Sequence, residues 1–298
     1  MALRQAGRPN TLRSNGIRTL TEAQGNASDH EEWVPPVGPL GELTEQSRVR
    51  ARESALGKRE LAAIIAGLAL PPDFAAALRL PCVAVIAELK RSSPSKGMLD
   101  GSLDAQARTA LYVEGGAAAL SILTEPNRFG GSLSDLLDAR IAVSVPLLRK
   151  DFITDPVQLM EARAYGASAA LLIARALAPR QLAALAAEAI GMGLTPLIEI
   201  RDERELARAL KVPTAVIGVN NRDLETLIIH PEVGARMVAQ IPADRIAIYE
   251  SGITNVDGVR AAAAAGADAV LIGSVLSTAS DPTALVRGLS AVPRRTRG

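Results

Sequence analysis

Eight short apolar runs, each followed by a helical pattern, limit what this chain can fold into. They are VAVIAEL from Val83, AALSILT from Ala118, PLLRKDF from Pro146, AALLIAR from Ala169, PLIEI from Pro196, AVIGVNN from Ala215, IAIYESG from Ile246 and AVLIGSV from Ala269. Their starts lie about 20 to 35 residues apart, the length of one strand–helix unit. The segments between them include DPVQLMEARAYG, PRQLAALAAEAIG, DERELARAL and TNVDGVRAAAAAG. Several of these end in glycine, which supplies the left-handed residue that closes a helix. Strands that are apolar almost throughout are buried on both faces, and such sheets are parallel. Eight units of this kind predict an α/β protein built as a (β/α)8 barrel. The competing fold, an open doubly wound sheet, more often carries G-x-G-x-x-G after its first strand. VAVIAELKRSSPSKG does not.

The residues before the first run divide in two. Residues 1–42 are expected to form a poorly ordered tail: the first twenty hold four arginines and no acid, and the next stretch is polar and rich in Gly and Pro. Residues 43–80 read as a helical extension, ending in PPDFAAALRL, where Asp73 favours a helix start. The barrel takes residues 81–298. The Arg-rich start leaves import into an organelle as an alternative to a cytoplasmic location, whereas no long apolar segment supports secretion.

Composition removes several classes of function. Lys plus Arg number 33 against 32 Asp plus Glu, so no bulk charge draws the chain to nucleic acid or to an anionic membrane. Aromatic residues are 2% of the chain, too few for base-stacking platforms. The single cysteine, Cys82, cannot form an intrachain disulfide. His30 and His230 have no companions at ligand spacing, so no metal site and no cofactor is expected. Cys82 and His230 read as a small packed residue and a solvated loop histidine. The expected state is a monomer or weak homo-oligomer.

In such barrels the C-terminal ends of the strands face the active site. Here those ends carry Glu88, Lys90 and Arg91; Lys150 and Asp151; Glu199; Asn220, Asn221, Arg222 and Asp223; Glu250, Ser251 and Gly252; and Gly273 and Ser274. Charges in apolar runs are costly to desolvate unless they are paired or used. Five strands delivering ionisable groups to one mouth predict a site. The small residues of ESGI and IGSV let backbone N–H groups approach an anion closely, which predicts a phosphorylated small-molecule partner. Lysines beside glutamates predict acid–base chemistry, with a lysine pKa expected to fall among cations and apolar walls. A Schiff-base lysine at Lys150 or Lys90 is the chemical competitor.

AVIAELKRSSPSKG, ALSILTEPNRFGGS, PLLRKDFI, PLIEI, GVNNRDLET and ESGI together resemble the indole-3-glycerol phosphate synthase family of tryptophan biosynthesis. The likeness runs in order from about residue 45 to 290 and leaves out the first 40 or so. It implies a carboxy-lyase that closes the ring of 1-(o-carboxyphenylamino)-1-deoxyribulose 5-phosphate to give indole-3-glycerol phosphate, carbon dioxide and water. It also implies that the residues 43–80 helices pack over the barrel.

By position in those motifs, Lys150 resembles the general acid on the ketone oxygen. Glu199 resembles an acid or base in the later dehydration, and Lys90 the second essential lysine. Glu88 is implied to orient a lysine, and Asn220 and Glu250 to anchor the sugar and intermediates. Arg222 is implied to hold the anthranilate carboxylate. The phosphate would lie among Ser93, Ser251, Gly252, Gly273 and Ser274, and Phe129, Phe152 and Leu171 would clamp the aromatic ring. One departure stands out: the family usually has a small residue where this chain has Tyr249. That predicts either crowding of the barrel interior or an extra hydroxyl near Glu250.

Two rival readings remain. A phosphoribosylanthranilate isomerase would need a catalytic Cys/Asp pair, and Cys82 lies before the first strand. A non-catalytic barrel would be expected to have lost one of Glu88, Lys90, Lys150 or Glu199, and all four are present.

Overall fold

A computed structural model describes residues 33–93, 97–101 and 103–297. Most of the expected tail therefore lies outside the described residues, as do Pro94 and Ser95 of the first-strand motif. Residues from Val34 onward form one compact unit.

In chain order the elements are α1 (Gly38–Arg52), α2 (Lys58–Ala66), α3 (Phe74–Ala77), β1 (Ala84–Leu89), the short hairpin of β2 (Ser92–Ser93) and β3 (Gly97–Met98), and α4 (Ala105–Glu114). Then follow β4 (Ala119–Leu123), α5 (Leu133–Ala142), β5 (Leu147–Lys150), α6 (Pro156–Ala164), β6 (Ala169–Ile173), α7 (Pro179–Gly191), β7 (Thr195–Ile200) and α8 (Glu203–Leu210). The chain ends with β8 (Val216–Asn220), α9 (Pro231–Val238), β9 (Ala247–Glu250), α10 (Val256–Ala264), β10 (Ala269–Ile272), α11 (Ser274–Ser277) and α12 (Pro282–Ser290). The eight longer strands close into a parallel barrel, β1 pairing with both β4 and β10. All eight apolar runs are barrel strands.

Several helices start where a short polar side chain takes up free backbone N–H groups. Asp104, Ser132, Asp202, Asn255 and Asp281 accept such bonds at 2.8–3.1 Å. Each cap of this kind is worth about 1 kcal/mol. At α6 the cap is reciprocal, with Asp155 capping the helix and Gln158 reaching back.

The two-residue period of a strand sorts its side chains. Inward-facing Ala84, Ile86, Leu148, Leu197, Val216 and Ile248 fill the barrel, and the outward-facing set packs under the helices. Two residues beyond Ile86, Leu148, Leu197 and Ile248, on the same inner face, stand Glu88, Lys150, Glu199 and Glu250. The apolar core thus ends in a charged layer at the C-terminal mouth.

Tyr249 lies between Ile248 and Glu250 and so faces outward. Its ring lies against Gly234 of α9, and its hydroxyl donates to Pro231 O at 3.2 Å. The expectation that it enters the barrel interior is therefore corrected by strand parity. Cys82 forms an isolated bridge with Pro293 before β1, and His230 precedes α9 without capping it, its Nδ1 3.2 Å from Glu232 Oε1.

The N-terminal helices do not all lie over the mouth, as the sequence suggested. α1 lies at the mouth, where Leu43 lines the main cleft. Ser54 then donates to Glu161 on α6 at 2.6 Å, and Arg163 at the end of α6 reaches Ala69 O. Leu70 rests against Gly193, in the turn before β7. Phe74 and Leu78 join the apolar cluster that fills the barrel. The extension descends along α6 and closes the opposite end.

Its start also differs from the expected Leu43. Leu40 is 1% exposed, Val37 N donates to Glu225 Oε1 at 2.8 Å, and Arg175 donates to Val34 O at 2.8 Å. Residues 34–42 therefore belong to the folded body.

Candidate active site

The charged layer opens into a cleft at the barrel mouth. Of the residues given roles by the resemblance, all line it except Gly252 and Gly273; of the other strand-end residues, Asp151 lines it and Arg91, Asn221 and Asp223 do not. β5 delivers Lys150, whose Nζ lies 3.2 Å from Glu199 Oε2 on β7 and 3.1 Å from Glu250 Oε2 on β9. Glu88 on β1 pairs with Lys90 at 2.9 Å and accepts from Ser121 on β4 at 3.3 Å. Three carboxylates thus share two ammonium groups in a buried layer.

That imbalance sets the protonation behaviour. Burial opposes the charge on Lys150, but Glu250, Glu199 and Glu88 outweigh it and hold the ammonium above its ordinary value. The expected fall in lysine pKa is corrected, because the neighbours are carboxylates and not cations. A firmly protonated amine is also a poor nucleophile, which counts against the Schiff-base alternative. Burial pushes Glu250 up to about 7, with Glu199 and Glu88 adding to the rise and Lys150 opposing it. Burial also raises Glu88, yet Lys90 and Lys150 bring its carboxyl below the ordinary range. Glu250 Oε1 is buried with no hydrogen-bond partner among the described residues.

Polar groups continue around the rim. Asn220 Oδ1 accepts from Arg222 N at 2.9 Å and from Ser251 Oγ at 2.8 Å. Ser251 holds a left-handed backbone with φ 67°, a conformation rare outside glycine, and Gly252 follows at φ 86°. Arg222 donates to Leu227 O at 2.8 Å. Asn221 does not line the cleft: its amide ties the Glu250 and Ser251 carbonyls to Gly234 N of α9. The opposite wall is apolar. Phe129 and Phe152 meet with ring centroids 6.2 Å apart, and Leu171 is 2% exposed beside them.

Gly273 packs against Glu88 and Lys90. A Cβ there would stand 2.5 Å from Glu88 Oε1 and 2.9 Å from Lys90 Nζ. Its missing side chain makes room for that ion pair. Gly218 does the same for Glu250, whose Oε1 occupies the space a Cβ would need. Sequence reading missed Gly218 although it opens G-x-N-N-R. It also missed Leu224 and Leu227, which line the cleft from the loop after β8. Asp151 and Leu43 complete the wall, the latter from an amphipathic helix whose docking no local pattern reveals. No group of three or more His, Cys, Asp or Glu among the described residues is arranged to hold a metal ion.

Known proteins resemble this chain over most of its length. Residues 45–289 match the family model of indole-3-glycerol phosphate synthase. The chain is 46% identical over 258 residues to the indole-3-glycerol phosphate synthase of Mycobacterium ulcerans (strain Agy99), covering 86% of this chain and 95% of that protein. It is also 46% identical over 255 residues to indole-3-glycerol phosphate synthase 2 of Streptomyces coelicolor, covering 85% and 97%. Among solved structures, 3-hexulose-6-phosphate synthase from Salmonella typhimurium superposes with a TM-score of 0.57 at 14% identity, covering 70% of this chain and 97% of that one. That likeness is one of fold alone. The family match over residues 45–289, with relatives 46% identical over most of both chains, places this chain in the indole-3-glycerol phosphate synthase family.

Proposed function

We propose that Lys150 initiates this enzyme's ring closure as the proton donor. As a family member the chain is a carboxy-lyase of tryptophan biosynthesis that makes indole-3-glycerol phosphate. In the proposed sequence, the ring carbon bearing the carboxylate attacks the ketone carbon while Lys150 gives its proton to the ketone oxygen. Loss of carbon dioxide restores the aromatic ring. The new hydroxyl then leaves as water, and a base removes the proton whose loss completes the pyrrole ring. Glu199 is placed for this second stage, with Lys90 assisting under the orientation of Glu88. Glu250 and Asn220 hold the sugar hydroxyls.

The observation that carries this reading is Lys150 held between Glu199 and Glu250 in a cleft that also has an aromatic wall. The ring would sit between Phe129, Phe152 and Leu171, with its carboxylate near Arg222, whose guanidinium fork suits that group. Ser93, Ser251, Gly252, Gly273 and Ser274 would take the phosphate. A cytoplasmic location is part of this reading, supported by the bacterial sources of its relatives.

Two assays test it. Purified protein should turn the aminodeoxyribulose phosphate into a fluorescent indole product and should rescue a tryptophan auxotroph lacking the synthase. For the phosphate wall, Ser274→Asp adds a negative charge where the anion would sit, at a helix start that tolerates an acid. KM should rise about 100-fold for the phosphorylated substrate, from the loss of charge-assisted bonds. Binding of the dephosphorylated analogue should be unchanged. Equal loss for both ligands would move the phosphate elsewhere.

A further inference from the structure

The two phenylalanines of the aromatic wall come from different loops, yet each is held in the same way. Asp151 Oδ1 accepts from Phe152 N at 2.8 Å. Glu125 takes the N–H groups of Asn127, Arg128 and Phe129 at 2.9, 2.7 and 3.1 Å. Both carboxylates are buried.

One guanidinium lies between them. Arg50, in the last turn of α1, contacts Asp151 Oδ1 at 2.6 Å through NH2 and Glu125 Oε1 at 3.6 Å through NH1. Asp151 is further fixed by Thr124 at 2.8 Å and Arg149 at 3.1 Å. Glu125 lacks a second cation: Arg50 is the only ion-pair partner recorded for it among the described residues.

We propose that Arg50 is a positioning residue for the aromatic wall. By bridging Asp151 and Glu125 it sets the spacing of Phe152 and Phe129, and it makes affinity for the arylamine part of the substrate depend on how α1 is docked. This rests on the ring-clamp reading of the two phenylalanines. α1 is secured to the same region by other bonds, including Gln158 to Ser47 at 2.8 Å and Asn127 to Gln46 at 3.0 Å. Loss of the bridge therefore shifts the wall without releasing the helix.

The test compares two ligands on wild type, Arg50→Lys and Arg50→Met, with unfolding temperature recorded for each. The first is the aminodeoxyribulose phosphate with its ketone reduced to an alcohol, which keeps the ring and cannot cyclise. The second is ribulose 5-phosphate, a keto-sugar phosphate without the ring, read as an inhibitor. Arg50→Met should weaken the ring-bearing ligand about 10- to 100-fold, the scale of a small misplacement of a positioned group. Ribulose 5-phosphate should bind it as it binds wild type. Arg50→Lys, which keeps the charge but not the two-armed reach, should fall between. In turnover, KM should carry the loss and kcat should stay within a few-fold.

Equal weakening of both ligands, or a lower unfolding temperature with unchanged affinities, would reduce Arg50 to a structural tie and overturn the proposal. If Arg50→Met does not fold, Arg50→Lys must show the ring-selective loss by itself, or the proposal fails. If wild type does not bind the reduced substrate more tightly than ribulose 5-phosphate, the ring-clamp reading fails first.

Discussion

Glu250 places one carboxylate oxygen on Lys150 and leaves the other buried without a partner. It has that position because Gly218, across the β8–β9 ladder, has no side chain. Gly218→Ala should therefore displace Glu250 while the strands stay paired, cutting turnover by at least about tenfold, at the low end of what a positioned acid–base group contributes. Circular dichroism should remain that of wild type. Retained turnover in a folded Gly218→Ala protein would show that Glu250 is not needed where it stands.

A second buried carboxyl allows a pH test away from the reacting groups. Burial pushes Glu205, at the start of α8, up to about 7, with the charges of Asp202 and Glu199 adding to the rise and the Arg201 N–H opposing it. A carboxyl that holds its proton more tightly when folded favours the fold at low pH. Its contribution is lost as pH rises from about 4.5 through about 7. The drop in unfolding temperature between pH 5 and pH 7.5 should be smaller in Glu205→Gln than in wild type. An unchanged drop would place the Glu205 pKa at an ordinary value.

At the scale of elements, strands were the most legible part of the sequence, because each is an apolar run stopped by polar punctuation. Parity then determined which residues share a face, and so explains both the gathering of Glu88, Lys150, Glu199 and Glu250 and the outward turn of Tyr249. The N-terminal extension was harder to read, since nothing local in α1, α2 or α3 says which end of the barrel each will cover. α1 reaches the mouth through Arg50 and Leu43, whereas Phe74 and Leu78 serve the opposite end. Truncation tests this placement. Removing residues 1–32 should leave stability and KM unchanged. Removing 1–40 also takes Leu40 and the Val37–Glu225 bond, and burying a leucine is worth about 1.5–3 kcal/mol. That protein should melt several degrees lower, and its KM should rise because Leu224 and Leu227 line the cleft beside Glu225. If both truncations behave alike, residues 34–40 do not brace the mouth.

At the scale of the whole molecule, the sequence located the site by listing what each strand carries at its C-terminal end. It did not show how those groups pair, because partners come from strands far apart in the chain: Lys150 meets Glu199 and Glu250, 49 and 100 residues away. Hence the direction of the Lys150 pKa was misread, and the packing of Glu88 and Lys90 against Gly273 was not foreseen. The barrel assembles four strand ends into a layer in which a protonated lysine is stabilised by carboxylates.

The central claim is that Lys150 supplies the proton that starts ring closure, and single-turnover kinetics of Lys150→Met with the aminodeoxyribulose phosphate test it most directly. The account predicts a folded protein that still binds the substrate but forms indole-3-glycerol phosphate about 100- to 10,000-fold more slowly than wild type, the usual contribution of a positioned acid. Product formation at a rate near that of wild type would contradict it and transfer the proton to another group in the cleft.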